Sequence, residues 1–194
     1  MLRKTNKKLP RREQIVNAAR KLVIKCGSEN VTIRRIAQEV GFSEAAIYRH
    51  FRSKRDILYL LIEVIEQNLI SDLESPGHPE YGRLENILLN HLSAIEKRKG
   101  ISFQVIAEII SLGDNRLNKR IYLTIENYIS KLKELLLAEI NEGQLRSDID
   151  VDATAIILFS IAQGMSNIWT LSNYSFKPQD KFERIVQVLR RGLI

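Results

Sequence analysis

Apolar residues recur along this chain at helical spacing. Ile15, Ala18, Ala19, Leu22, Val23 and Cys26 follow the i, i+3, i+4, i+7, i+8 pattern of one buried helix face. Pro10 suits the first turn of that helix and Gly27 a left-handed cap at its end, which leaves Cys26 on the apolar stripe as a small buried hydrophobe. Thr32 can cap a second helix from Ile33 to Val40, with Ile36, Ala37 and Val40 facing inward. Gly41-Phe42 breaks it. Ser43 can cap a third, short helix from Glu44 to His50 that buries Ile47 and, just past its end, Phe51. Ser53-Lys54-Arg55-Asp56 has the form of a capping box before an apolar helix through Ile57, Leu58, Leu61, Ile62 and Ile65, placed at about 53–73. Pro76-Gly77-His78-Pro79 interrupts the pattern, and helices are expected over 81–98, 101–112, 115–142, 150–173 and 178–192. Asp150 or Asp152 can cap the next-to-last of these, and Pro178 opens the last. No convincing strand and no internal repeat appears. The predicted fold is all-α.

Composition agrees and narrows the class. The 194 residues include only nine Gly and four Pro, few for a turn-rich β fold, and a single Cys, which cannot form an internal disulfide. The net charge of +7 is unevenly spread. Residues 1–60 hold 15 Lys and Arg against five acids, a local charge of +10, while the remaining 134 residues sum to −3. A basic head on a slightly acidic body suggests that one segment meets a polyanion and the other does something else.

Residues 1–10 have no apolar run and are not expected to act as a secretory signal. Residues 153–176 contain no Asp, Glu, Lys or Arg and are long enough to cross a bilayer. However, Thr154, Ser160, Gln163, Ser166, Asn167, Thr170, Ser172 and Asn173 make the stretch too polar for a lone span. The expectation is a helix buried on most sides within protein, and a cytoplasmic chain with no membrane partner.

Helix, Gly-containing turn and second short helix within a basic region form a helix-turn-helix arrangement. The run from Val31 to Leu58, with Tyr48-x-His50-Phe51-x-x-Lys54 as its most specific part, resembles the DNA-binding domain of the tetracycline-repressor (TetR) family over about residues 11–60. The resemblance implies an N-terminal three-helix DNA-binding domain and a C-terminal helical domain that dimerises through its last two helices and often binds a small effector. The corresponding division is 1–56, including a basic arm, and 57–194.

Matched residue by residue, Tyr48, His50 and Lys54 resemble positions that hold the DNA backbone, for which a phenol, an imidazole N–H and an ammonium are suited donors. Thr32 matches a capping position whose helix N-terminus faces phosphate. Arg34 resembles a position that touches base or backbone, and a guanidinium can take a guanine edge bidentately. Ser43, Glu44, Ala45 and Ala46 occupy the groove-facing part of the recognition helix, and Arg49 sits beside Tyr48. Glu44 departs from the basic or small residue common there; it can accept from a cytosine amino group or simply stabilise the helix start. The arm carrying Arg3, Lys4, Lys7, Lys8, Arg11 and Arg12 can follow phosphates or enter the minor groove, or remain solvated.

The body offers no catalytic motif. His50, His78 and His91 are far apart in sequence and form no ligand cluster; no phosphate loop or nucleophile elbow occurs; and Asp148, Asp150 and Asp152 fit helix capping better than a calcium loop. No enzyme activity, metal or cofactor is expected. His91, Phe103, Gln104, Tyr122, Tyr128, Gln163, Asn167 and Trp169 are candidates for an effector pocket, with packing or interface burial as the alternative for each. The small residues of the uncharged helix, together with Phe182, Ile185, Val186 and Leu189, suit a four-helix interface between two copies. Such a homodimer would read a pseudo-palindromic operator. The function expected is a DNA-binding repressor released by an unknown small-molecule effector. The alternatives are a regulator governed by a protein partner or by abundance, and, beyond those, a helical enzyme or carrier.

Overall fold

A computed structural model of the chain describes residues 10–26 and 31–193; among these, the side chains of Val23, Ile24, Cys26, Lys54, Gly192 and Leu193 are not described. The expected cap at Gly27, the placement of the Cys26 side chain and the arm residues Arg3, Lys4, Lys7 and Lys8 therefore lie outside the described residues.

The described residues form helices and turns without a strand. The helices are α1 (Arg11–Cys26), α2 (Ile33–Val40), α3 (Glu44–Tyr48), α4 (Lys54–Glu74), α5 (Arg83–Arg98), α6 (Ile101–Leu112), α7 (Asn115–Asn141), α8 (Val151–Leu171) and α9 (Phe182–Leu193), the last entered through a 3-10 turn over Pro178–Lys181. The chain thus has an N-terminal helix-turn-helix domain followed by a C-terminal helical domain, and α4 runs from one into the other.

The caps follow the local chemistry. Thr32 Oγ1 accepts from the backbone N–H of Arg35 at 3.2 Å, Asp114 Oδ1 from Arg116 and Leu117 at 3.0 and 3.1 Å, and Asp150 Oδ1 from Ala153 at 2.9 Å. Asp150, rather than Asp152, caps α8; Asp152 instead pairs with Lys133 at 2.5 Å.

A single apolar core runs through both parts, from Ile15, Ile36 and Ile47 in the head to Leu88, Leu92, Ile109, Leu117, Leu132 and Leu136 in the body. α1 packs on α2, α4 and α6, and α4 packs on α7, α5 and α6, so the head rests on helices that also build the body.

α8 corrects one expectation. It is long and apolar enough by length and composition to cross a membrane, and only 28% of its most apolar window is buried within the chain. Ala155, Leu158, Ala162, Ser166 and Trp169 face inward, whereas Ile156, Ile157, Ile168 and Leu171 are exposed, Leu171 at 85%. The helix is covered on one face rather than on most sides, because it packs along one side against α7, α5 and α6.

Candidate nucleic-acid interface

The turn between α2 and α3 is built from backbone geometry. Gly41 adopts φ +69, a left-handed conformation in which a side chain is disfavoured. This lets the N–H of Phe42 reach the carbonyl of Ala37 at 2.9 Å and that of Gly41 reach Gln38 at 3.3 Å, ending α2. Ser43 then opens α3, its Oγ accepting from Ala46 N–H at 3.2 Å. Ile47 and Phe51, both buried, hold α3 against the head core, and the Arg11 guanidinium lies 4.3 Å from the centre of the Phe42 ring. Asp56 Oδ2 accepts from the N–H groups of Arg52 and Ser53 at 2.6 and 3.2 Å, setting the start of α4.

Anchoring through Ile47 turns the rest of α3 outward. Glu44, Ala45, Tyr48, Arg49 and His50 are exposed and Ala46 is half-buried; Ser43 at the cap, and Thr32 and Arg34 at the start of α2, are exposed as well. Tyr48 is 50% exposed, and its hydroxyl meets no hydrogen-bond partner among the described residues. For an aromatic residue next to a buried Ile, this leaves a donor facing solvent. His50 lies beside Phe51, with ring centres 6.5 Å apart. Lys54 opens α4, and its side chain lies outside the described residues. Arg11 and Arg12 of the arm are exposed. The surface is chemically suited to a phosphate backbone: exposed donors on two capped helices, with cations around them.

This surface resembles a known arrangement, and the comparisons agree on which. A family profile described as "Bacterial regulatory proteins, tetR family" matches residues 15–59. The Nucleoid occlusion factor SlmA of Photobacterium profundum is 31% identical over 196 residues, covering 97% of this chain and 98% of that protein. The chain belongs to the TetR family. The Nucleoid occlusion factor SlmA of Edwardsiella ictaluri is 34% identical over 191 residues, covering 94% of each. A solved structure of a fatty acid degradation regulator, FadR from Bacillus halodurans, superposes on this TetR-family chain with a TM-score of 0.76 at 19% identity, covering 95% of this chain and 96% of that one, which shows the shared fold. As a TetR-family helix-turn-helix protein, the chain is a DNA-binding regulator.

The effector candidates are not gathered around one space. His91 and Phe103 line a cavity of only about 10 Å³ between α4, α5 and α6, about the least that admits a single water. His91 Nδ1 lies 2.9 Å from the Ile87 carbonyl, which can only accept, so Nδ1 carries the proton. Burial lowers the His91 pKa, keeping the ring neutral, and its bare Nε2 accepts from the Tyr128 hydroxyl at 2.6 Å. Burial in turn pushes the Tyr128 phenol well above its usual value. Tyr128 stacks edge-on to His91 and packs against Phe159, which also meets Phe103. Gln163 is half-buried and Asn167 exposed on α8. Trp169 is buried, its Nε1 donating to the Phe176 carbonyl at 2.5 Å. Tyr122 is exposed, and Gln104 donates to the Lys99 carbonyl at 3.2 Å.

Sequence inspection missed the seam between head and body. Arg55, in the first turn of α4, forms an ion pair with Asp114, the residue that caps α7. Arg20 on α1 approaches Arg98, which is itself paired with the buried Asp72 of α4; burial and the Arg98 charge lower the Arg20 pKa. No local pattern joins residues so far apart in sequence; the only hint was Asp114 standing just before a predicted helix start.

Proposed function

We propose that the protein is a homodimeric, sequence-specific DNA-binding factor that works on the chromosome, in the cytoplasm, by presenting its body to a protein partner rather than by leaving its operator when a small molecule enters the body. Residues 1–56 read DNA and residues 57–194 dimerise and carry the output. Tyr48, His50 and Lys54 hold phosphates together with the α2 start at Thr32; Arg34, Ser43, Glu44, Ala45, Ala46 and Arg49 face the groove.

The packed interior of the body is the observation that carries this reading. The contact between His91 and Tyr128, with Phe103 and Phe159 around it, fills the centre of the body helices. An effector pocket of ordinary size needs roughly 300–1,000 Å³; the cavity beside His91 and Phe103 holds about 10 Å³, and the larger spaces of the body, about 330 and 640 Å³, lie around the start of α5 rather than at this centre. Relatives of nearly full-length coverage that carry the name nucleoid occlusion factor give the reading further support.

The outward apolar face of α8, with Val188 exposed on α9, is the surface we assign to the second copy. Two copies would bring two α3 helices to half-sites about 34–36 Å apart, or a multiple of that.

The test selects bound duplexes from a random pool with the full chain, then measures affinity for the selected operator in the presence of acyl, aromatic and steroid-like compounds. The expected result is no change of as much as about threefold in Kd. A compound that weakens binding by about tenfold or more, and that is seen between α4, α5 and α7 in a co-crystal, would overturn the reading.

A further inference from the structure

Arg55 follows Lys54 in the first turn of α4, at the edge of the DNA-reading surface, yet its guanidinium is committed to the body. It pairs with Oδ2 of Asp114, the residue that caps α7. Oδ1 of the same carboxylate accepts from the N–H groups of Arg116 and Leu117 at 3.0 and 3.1 Å. Both oxygens of Asp114 are therefore engaged, one within α7 and one across to α4. The Asp114 side chain is only 9% exposed, whereas that of Arg55 is about half exposed.

An ion pair with one partner so exposed adds little to stability. What it fixes is geometry. Asp114 is held by the backbone of a 27-residue helix, and Arg55 by the turn that Asp56 sets through the N–H groups of Arg52 and Ser53. A charged contact between two such anchored ends gives α4 one preferred angle of entry against α7. α7 in turn packs along α8, whose outward face is the surface assigned to the second copy. A route of direct contacts thus runs from the start of α4, through the α7 cap, to the dimer face.

We infer that Arg55 and Asp114 are positioning residues for DNA binding: their contact sets the angle of the head on the body, and with it the separation of the two α3 helices. The inference rests on the homodimer proposed above. Neither residue touches DNA. Breaking the contact lets each head pivot about α4 and reach half-sites at separations that the intact pair refuses. Selectivity for operator spacing is thereby built into a contact that reads no base.

The experiment measures binding of the full chain to the selected operator and to versions with one base pair inserted or removed between the half-sites. Asp114→Asn keeps a capping oxygen and turns an amide donor toward the guanidinium, and Arg55→Met keeps a helix-forming stem without the charge. For the wild type, moving the half-sites should weaken binding by about tenfold or more; for each variant the loss should shrink to about threefold or less. The double variant should match either single one, because all three break one contact. Affinity for an isolated half-site should stay within about twofold throughout. Variants that keep the wild-type spacing preference overturn this proposal alone, whereas a wild type indifferent to spacing overturns it together with the homodimer. A loss of half-site affinity and a lower salt slope from Arg55→Met, without the same from Asp114→Asn, would place Arg55 on phosphate and likewise overturn it.

Discussion

Tyr48 and Lys54 carry separate parts of the proposed contact with DNA, and they should fail differently. The Tyr48 hydroxyl stands free on an exposed ring, so Tyr48→Phe removes one donor to phosphate and little else. The expected loss is about 1.5–3 kcal/mol on every duplex alike, read by anisotropy on selected and unrelated sequences. Lys54→Ala should also weaken all sequences similarly and lower the slope of log K against log salt by about one. A sequence-selective loss from Lys54→Ala would contradict its assignment to phosphate. His91 gives a prediction about acid. Burial lowers its folded pKa, so the unfolded chain binds the proton first as pH falls below 6.5. Its contribution to stability is therefore present at neutral pH and is lost as pH drops through the window below 6.5 toward the folded value. Asp72 acts in the opposite sense, since burial raises its pKa, so the contrast must be made between the wild type and His91→Gln. Melting curves between neutral and mildly acidic pH should show a steeper decline for the wild type than for the variant.

At the scale of the element, the turn between α2 and α3 fixes how the recognition helix is offered. A Cβ on Gly41 would meet nothing within 4 Å, so the cost of Gly41→Ala comes from its φ of +69 rather than from collision. That conformation costs a non-glycine residue about 1–2 kcal/mol. Chemical denaturation should show a loss of this size. If the turn survives, DNA affinity at a temperature where the chain is fully folded should change less than stability does. α4 is the other decisive element. It begins with the Asp56 hydrogen bonds at the head, carries Arg55 to the α7 cap, and ends in the body past Asp72 and its partner Arg98. Head and body therefore cannot reorient without disturbing α4. The protein partner proposed for the body would have a mechanical route to the recognition helices through α4.

At the scale of the whole molecule, the exposed isoleucines of α8 are the least settled surface. Ile156, Ile157, Ile168 and Leu171 make an apolar face that a lone chain leaves in water. Pairing two copies there would bury it and hold the two heads at a defined separation. Ile168→Glu should convert the dimer to a folded monomer by sedimentation, with an unaltered helical spectrum. It should weaken operator binding far more than binding of one copy to a half-site, because the loss is of avidity rather than contact. Dimeric sedimentation of Ile168→Glu would locate the interface elsewhere.

Much of this architecture was legible in the chain itself. Approximate helix limits, the caps at Thr32 and Ser43, the turn at Gly41 and the contiguous Tyr48–Lys54 run are encoded within short windows, where periodicity and side-chain-to-backbone hydrogen bonds act between neighbours; the cap at Asp114 went unread, and the choice of Asp150 over Asp152 for α8 came from the structure. The basic head and faintly acidic body were likewise a matter of counting. Other features were settled only by how the helices cross. The contact of His91 with Tyr128, 37 residues apart, turns two suspected ligand groups into a closed core. The pairings of Arg55 with Asp114 and of Arg83 with Glu139, and the outward turn of Asn167, depend equally on long-range packing. An isolated helix shows which residues share a face; only the packed molecule decides which of those faces meets protein, which meets water, and which is left with space beside it.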